Sequence, residues 1–207
     1  MSCYLRPKVS GLPVFFTVCL AVRGSDLLVR EVARLREAVR LTREEHPFEI
    51  EAMVVLPDHL HAIWTLPEGD RAYGTRWGAI KSRFSRSVMK ARRKGRVGFY
   101  PTAPRSPSKT RKGDAGIWQR RFWEHHIRDA ADLEAHLAYC WGNPVRHGLV
   151  DRAVDWPFSS LHREIRAGRV GSEWTGGEIA GDFGEWWGET PPYGAQPLRP
   201  VEVSAIP

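Results

Sequence analysis

The sequence predicts an α+β fold, with helices packed on a central, mostly antiparallel β-sheet. Three observations carry that prediction. Patterned segments follow the order strand, helix, hairpin, helix, strand, helix, which suits a sheet with helices laid on it. Pro57-Asp58 separates two apolar segments, a turn signal that makes them a hairpin. The chain has 207 residues, enough for one domain with a real core.

The first strand is expected near Val14 to Val22, a run rich in Val and Phe that ends at the turn-like RGSD. Arg6 and Lys8 ahead of LPVFFTVCLAV mimic a signal peptide, but no small-x-small cleavage site follows. A helix is expected from about Ser25 to His46. Ser25 or Asp26 can cap it, and Leu27, Val32, Leu35, Val39 and Leu41 form an apolar stripe. The hairpin takes Phe48 to Leu56 and His59 to Leu66, closed by PEGD. RWGAIKSRFSRSVMKARR reads as a helix from Arg76 to Arg93, with Trp77, Ile80, Phe84 and Met89 toward the core. Residues 95–116 are rich in Gly, Pro, Ser and basic residues and read as a mobile loop. A strand is expected within Trp118 to Arg128. Asp129 then caps a helix, with Asp132 in the capping-box position. That helix is expected to end near Asn143, because Pro144 disfavours the α conformation just before it. Residues 166–207 form an acidic tail rich in Trp, Gly and Pro. It is expected to dock partly through Trp174, Trp186 and Trp187 and to be disordered at its end.

The net charge is +7, and it is unevenly spread. Arg71 to Lys112 carries fourteen Lys or Arg and no acid, so the remainder is net acidic. A one-sign block seeks polyanions. It lacks the apolar face of a membrane-surface helix, so nucleic acid is the expected partner. Lys81, Arg83, Arg86 and Lys90, extended by Arg92, Arg93, Lys94 and Arg96, can track a phosphate backbone beside the site. Trp118, Phe122 and Trp123 offer either core packing or stacking surfaces for unpaired bases. No stretch of about 18 apolar residues exists, so no membrane span is expected. Cys3, Cys19 and Cys140 are an odd number without metal spacing. They suggest a reduced, cytoplasmic setting, and with the basic block a nucleoid-associated one.

His59-Leu60-His61 interrupts the second hairpin segment. In a strand both imidazoles leave one face, about 7 Å apart along the chain, and can converge on a divalent ion. Alone, H-x-H is weak, and two hydrogen-bonded structural histidines are the alternative. On the helix after Asp129, His136, Tyr139 and Asn143 share one face, with Leu133, Leu137 and Trp141 roughly opposite toward the core. That polar face is either a site or amphipathic surface.

HLH within VVLPDHLHAIWTLPEGD resembles the histidine-hydrophobe-histidine signature of the HUH nucleases. IWQRRFWEHHIRD, YCWGNPVRHGLV and DWPFSS resemble motifs of the REP-associated tyrosine transposases, bacterial relatives of the single-tyrosine transposases. The resemblance spans residues 1–165 in matching order, apart from the stretch near 91–116. It implies a palm of ferredoxin-like or RRM-like type: a central antiparallel sheet with helices packed on it. It implies His59, His61 and Asn143 as metal contacts and Tyr139 as nucleophile. The implied activity is a metal-dependent single-stranded DNA endonuclease and strand transferase acting on REP-type palindromic hairpins through a 5′-phosphotyrosine. The metal would be Mg²⁺ or Mn²⁺. His136, one turn before Tyr139, is a possible general base. Strand exchange needs two cleavage events, so a monomer acting twice or a homodimer is expected. The loop at 95–116 is longer and more basic than the family pattern. The acidic tail is expected to fold back toward the basic surface and restrain the site. The rival function is a non-catalytic hairpin-binding regulator, which would need the basic block but neither the His pair nor Tyr139.

Overall fold

The computed structural model describes residues 11–111, 113–176 and 183. The expected anchors Trp186 and Trp187, and Cys3, lie outside them. Among the described residues four strands, β1 (Val14–Cys19), β2 (Glu49–Val55), β3 (His59–Thr65) and β4 (Trp123–His126), form one sheet in the order β2-β3-β1-β4. Every pairing is antiparallel. The LPVFFTVCLAV run supplies β1, a central strand buried on both faces. This is why it reads as a continuous apolar run and not as an alternation.

Strand alternation divides the core in two. On one face, Phe16, Val18, Leu60 and Trp64 pack with α2 (Val32–Glu45) and α3 (Tyr73–Arg93). Trp64 and Trp77 stack there with centroids 4.0 Å apart. On the other face, Phe15, Ile63, Val54 and Ala52 pack with α5 (Ala130–Arg146). Among the described residues, no helix is long and apolar enough to cross a membrane.

Several boundaries differ from expectation. The predicted 25–46 helix is broken at Glu31 into α1 (Leu27–Arg30) and α2. Leu27, Leu28 and Val29 are all buried, and three consecutive apolar residues cannot share one face of a continuous helix. α3 starts before Arg76, and Val88, not Met89, is its last large core residue. The basic loop contains a short helix, α4 (Pro107–Arg111). It closes on itself where the Ala103 N–H donates to the Gly116 carbonyl at 2.9 Å. Gly116 has φ +68°, and a Cβ there would lie 2.7 Å from the Ala103 oxygen, so only glycine fits. Of the 118–128 stretch only Trp123–His126 is strand; Trp118 makes an isolated bridge to Leu20.

The last helix does not stop at Asn143. α5 runs through Pro144 to Arg146, although Pro144 has no N–H for the carbonyl one turn back. Residues 139–144 are buried against the sheet, and that packing outweighs the local preference. Beyond it, a 3₁₀ turn (Ala153–Asp155) leads to α6 (Leu161–Arg166). Trp174 then packs edge-on to Trp141 at 5.7 Å.

Candidate active site on the sheet

β3 places Leu60, Ala62 and Trp64 under α2 and α3, and turns His59 and His61 to the α5 face. The two rings are 5.0 Å apart between centroids and nearly perpendicular. Both are buried. His59 Nδ1 lies 2.7 Å from Asp58 Oδ1. Asp58 is itself fully buried, and its Oδ2 accepts the Gly24 N–H at 2.8 Å. Burial pushes the Asp58 carboxyl up, but the His59 hydrogen bond and charge, Gly24 and Arg23 outweigh it and hold the pKa at about 2. An ionised carboxylate only accepts, so His59 donates from Nδ1, and Nε2 is the nitrogen left to ligate. Carboxylate–histidine pairs of this kind orient imidazoles for metal ligation.

His61 Nδ1 is 2.9 Å from Thr17 Oγ1, across the register pair of β1 and β3. Burial first, then His59 and His147, push its pKa well below the ordinary value, and Asn143 partly offsets them. His61 is therefore neutral. Its Nε2 is buried and makes no hydrogen bond.

α5 brings the remaining groups. Asp129, in extended conformation, caps it through Asp132 N–H at 2.9 Å, as expected. The Tyr139 ring lies 5.1 Å from His61 and 5.8 Å from Phe15. Asn143, one turn on, is fully buried. The expected orientation of α5 thus holds for Trp141, which is buried, and changes for the rest of the helix. His136, Tyr139 and Asn143 face the sheet, while Leu133 and Leu137 are half-buried. Of the two readings of that polar face, a site or amphipathic surface, its burial rules out surface.

Four groups were not singled out from the sequence. Arg146 sets its guanidinium 5.0 Å from the Tyr139 centroid. His147, four residues after Asn143, brings a third imidazole 5.1 Å from His59. Asp58 orients His59, and its position beside the HLH triplet was the available signal. Phe183, from the tail, stacks on Tyr139 at 4.0 Å and meets His136 edge-on at 4.9 Å. No local pattern marks Phe183.

The basic helix is positioned differently from expectation. α3 packs on the sheet face opposite Tyr139. Lys81 donates to the Gln119 carbonyl, and Arg83 pairs with Glu45 and Thr42. Arg86, Lys90, Arg92, Arg93, Lys94 and Arg96 are exposed. Trp118, Phe122 and Trp123 are half-buried and pack against the cores. A cavity of about 620 Å³ lined by α2, β2 and Phe158 contains none of the site residues.

The donor set suits a divalent ion. Two imidazoles, one neutral with an unsatisfied buried Nε2 and one oriented by a carboxylate, lie beside an amide. No protein-family model matches the chain. It is 40% identical over 176 residues to the REP-associated tyrosine transposase of Escherichia coli strain K12, covering 85% of this chain and 92% of that one. The chain belongs to the REP-associated tyrosine transposases. A Haemophilus influenzae protein assigned to the same transposases is 39% identical over 186 residues, covering 88% of this chain and all of that one. A solved structure of a REP-associated tyrosine transposase bound to a REP hairpin superposes with a TM-score of 0.70 at 39% identity, covering 87% of this chain and 94% of that one. In this transposase, the VVLPDHLHAIWTL stretch is the end of β2, the turn and β3, and YCWGNPVR is the C-terminal half of α5.

Proposed function

We propose that this transposase cleaves and rejoins single-stranded DNA at palindromic hairpins of the REP type, through a phosphotyrosine on Tyr139. The observation that carries the reading is the placement of the Tyr139 ring against His61, with His59 and Asn143 at the same spot. A solved relative is bound to a REP hairpin, which supports the hairpin as substrate class.

His59, His61 and Asn143 would hold the metal, Mg²⁺ or Mn²⁺. When bound, the ion neutralises phosphate charge and polarises the scissile P–O bond. The chain's own residues do the rest. A phenol has a pKa near 10, so Tyr139 needs help to act as a nucleophile. Arg146, over the ring, favours developing phenolate charge. The Tyr139 oxygen attacks phosphorus and the P–O3′ bond breaks. The products are a free 3′-OH and a 5′-phosphotyrosine. The phenol proton is lost, and the departing 3′ oxygen takes one up. The new phosphodiester keeps its bond energy, so another strand's 3′-OH can reverse the step without ATP. His136 is the candidate acceptor for the phenol proton.

The test is covalent capture. The protein is incubated with labelled single strands of repeated palindromes and Mn²⁺, then run on a denaturing gel. A labelled adduct retaining the 3′ fragment, lost in Tyr139→Phe and with chelator, is expected. Tight hairpin binding with neither adduct nor cleavage would transfer the assignment to a non-catalytic regulator.

A further inference from the structure

Beside Tyr139, His125, Asp132 and His136 bring one ligand-type atom each within 4.8 Å of one another. The composition is that of a cation site, but the geometry is not. The two imidazoles stack with planes only 11° from parallel and centroids 4.5 Å apart. Imidazole lone pairs lie in the ring plane, so two stacked rings cannot both aim at one ion. The cluster instead reads as a hydrogen-bonded hub. His136 Nδ1 is 2.7 Å from the Asp132 carbonyl and 3.1 Å from its carboxylate. Both partners only accept, so the proton is on Nδ1 and the lone pair is on Nε2. That Nε2 is buried without a hydrogen bond. The carboxylate is fixed in turn by His125 Nε2 at 2.9 Å and by the Arg128 backbone N–H at 2.9 Å.

We infer that Asp132 and His125 are positioning residues that hold His136 as a neutral acceptor, with its Nε2 presented to the proton of Tyr139. The inference rests on the transposase reading and deepens it. His136 and Tyr139 lie three residues apart on one helix face, and Phe183 touches both rings. A nucleotide entering in place of Phe183 would meet phenol and imidazole together. The arrangement follows the logic of a nucleophile, a base and a carboxylate that orients the base. The groups facing His136 are Asp132 and Arg128 from its own helix end, His125 from β4, and the apolar rings of Phe15 and Phe183.

Chemical rescue decides it. The full chain, with saturating Mn²⁺ and a hairpin strand that gives a wild-type adduct, is compared with His136→Ala and Asp132→Asn. His136→Ala should slow adduct formation by about 10²–10⁴-fold, and added imidazole should restore a measurable part of it. Asp132→Asn should slow it by roughly 10–100-fold with Mn²⁺ affinity unchanged. An adduct rate at the wild-type level in His136→Ala overturns the inference. So does a loss that imidazole does not restore in a variant whose circular dichroism is native, or loss of bound Mn²⁺ in Asp132→Asn. Absence of any wild-type adduct would instead strike the transposase reading itself.

Discussion

The Phe183 ring lies flat on the Tyr139 ring, with centroids 4.0 Å apart and planes 9° from parallel. Phe183 is buried there, so Tyr139 is covered by a residue of the tail. In the mechanism proposed for Tyr139, a substrate phosphate must displace that ring before attack. Phe183→Ala removes the cover and should raise adduct formation several-fold at subsaturating hairpin. Deletion of residues 172–207 should act in the same direction. Equal or lower rates in a folded variant would show that the stack assists and does not restrain.

His59 depends on Asp58 for its tautomer. Asp58→Asn can offer its NH₂ group to Nδ1 and so favour the wrong ring nitrogen as the acceptor. Mn²⁺ affinity and activity should fall by roughly 10–100-fold, while hairpin affinity in chelator stays the same. Isothermal titration with Mn²⁺ reads the first quantity, and a shift assay in chelator reads the second.

The same carboxylate predicts a pH effect. Its folded pKa, about 2, lies below the unfolded value of about 3.9. The unfolded chain therefore binds the proton more readily. The stabilisation is complete above about pH 4 and is lost as pH falls through the folded value, on the order of 2 kcal/mol in all. Thermal melts of metal-free protein should show this decline between about pH 4 and pH 2, and Asp58→Asn should flatten it.

The basic residues fall into two groups with different expected readouts. Arg92, Arg93, Lys94 and Arg96 are exposed at the end of α3. Replacing all four with alanine should weaken hairpin binding across sequences and reduce the salt slope by up to roughly 3. Lys81 and Arg83 are bound to Gln119, Glu45 and Thr42. Alanine there should lower the melting temperature and leave the slope nearly unchanged.

The sequence by itself determined the element order, the β2–β3 hairpin, the Asp129 cap and the shared face of His59 and His61. These follow from local rules, since periodicity, turn chemistry and capping act within a few residues. It also carried the linked motifs that mark the family. Only the tertiary structure decided what those rules cannot see. Burial against the sheet carried α5 through Pro144 and turned Tyr139 inward. Strand pairing set Thr17 against His61, forty-four positions away. Packing placed α3, and with it much of the basic block, on the opposite face from Tyr139, and it brought Phe183 onto the Tyr139 ring. Each of these is a contact between residues distant in sequence, and its free energy comes from the surface the whole fold removes from water.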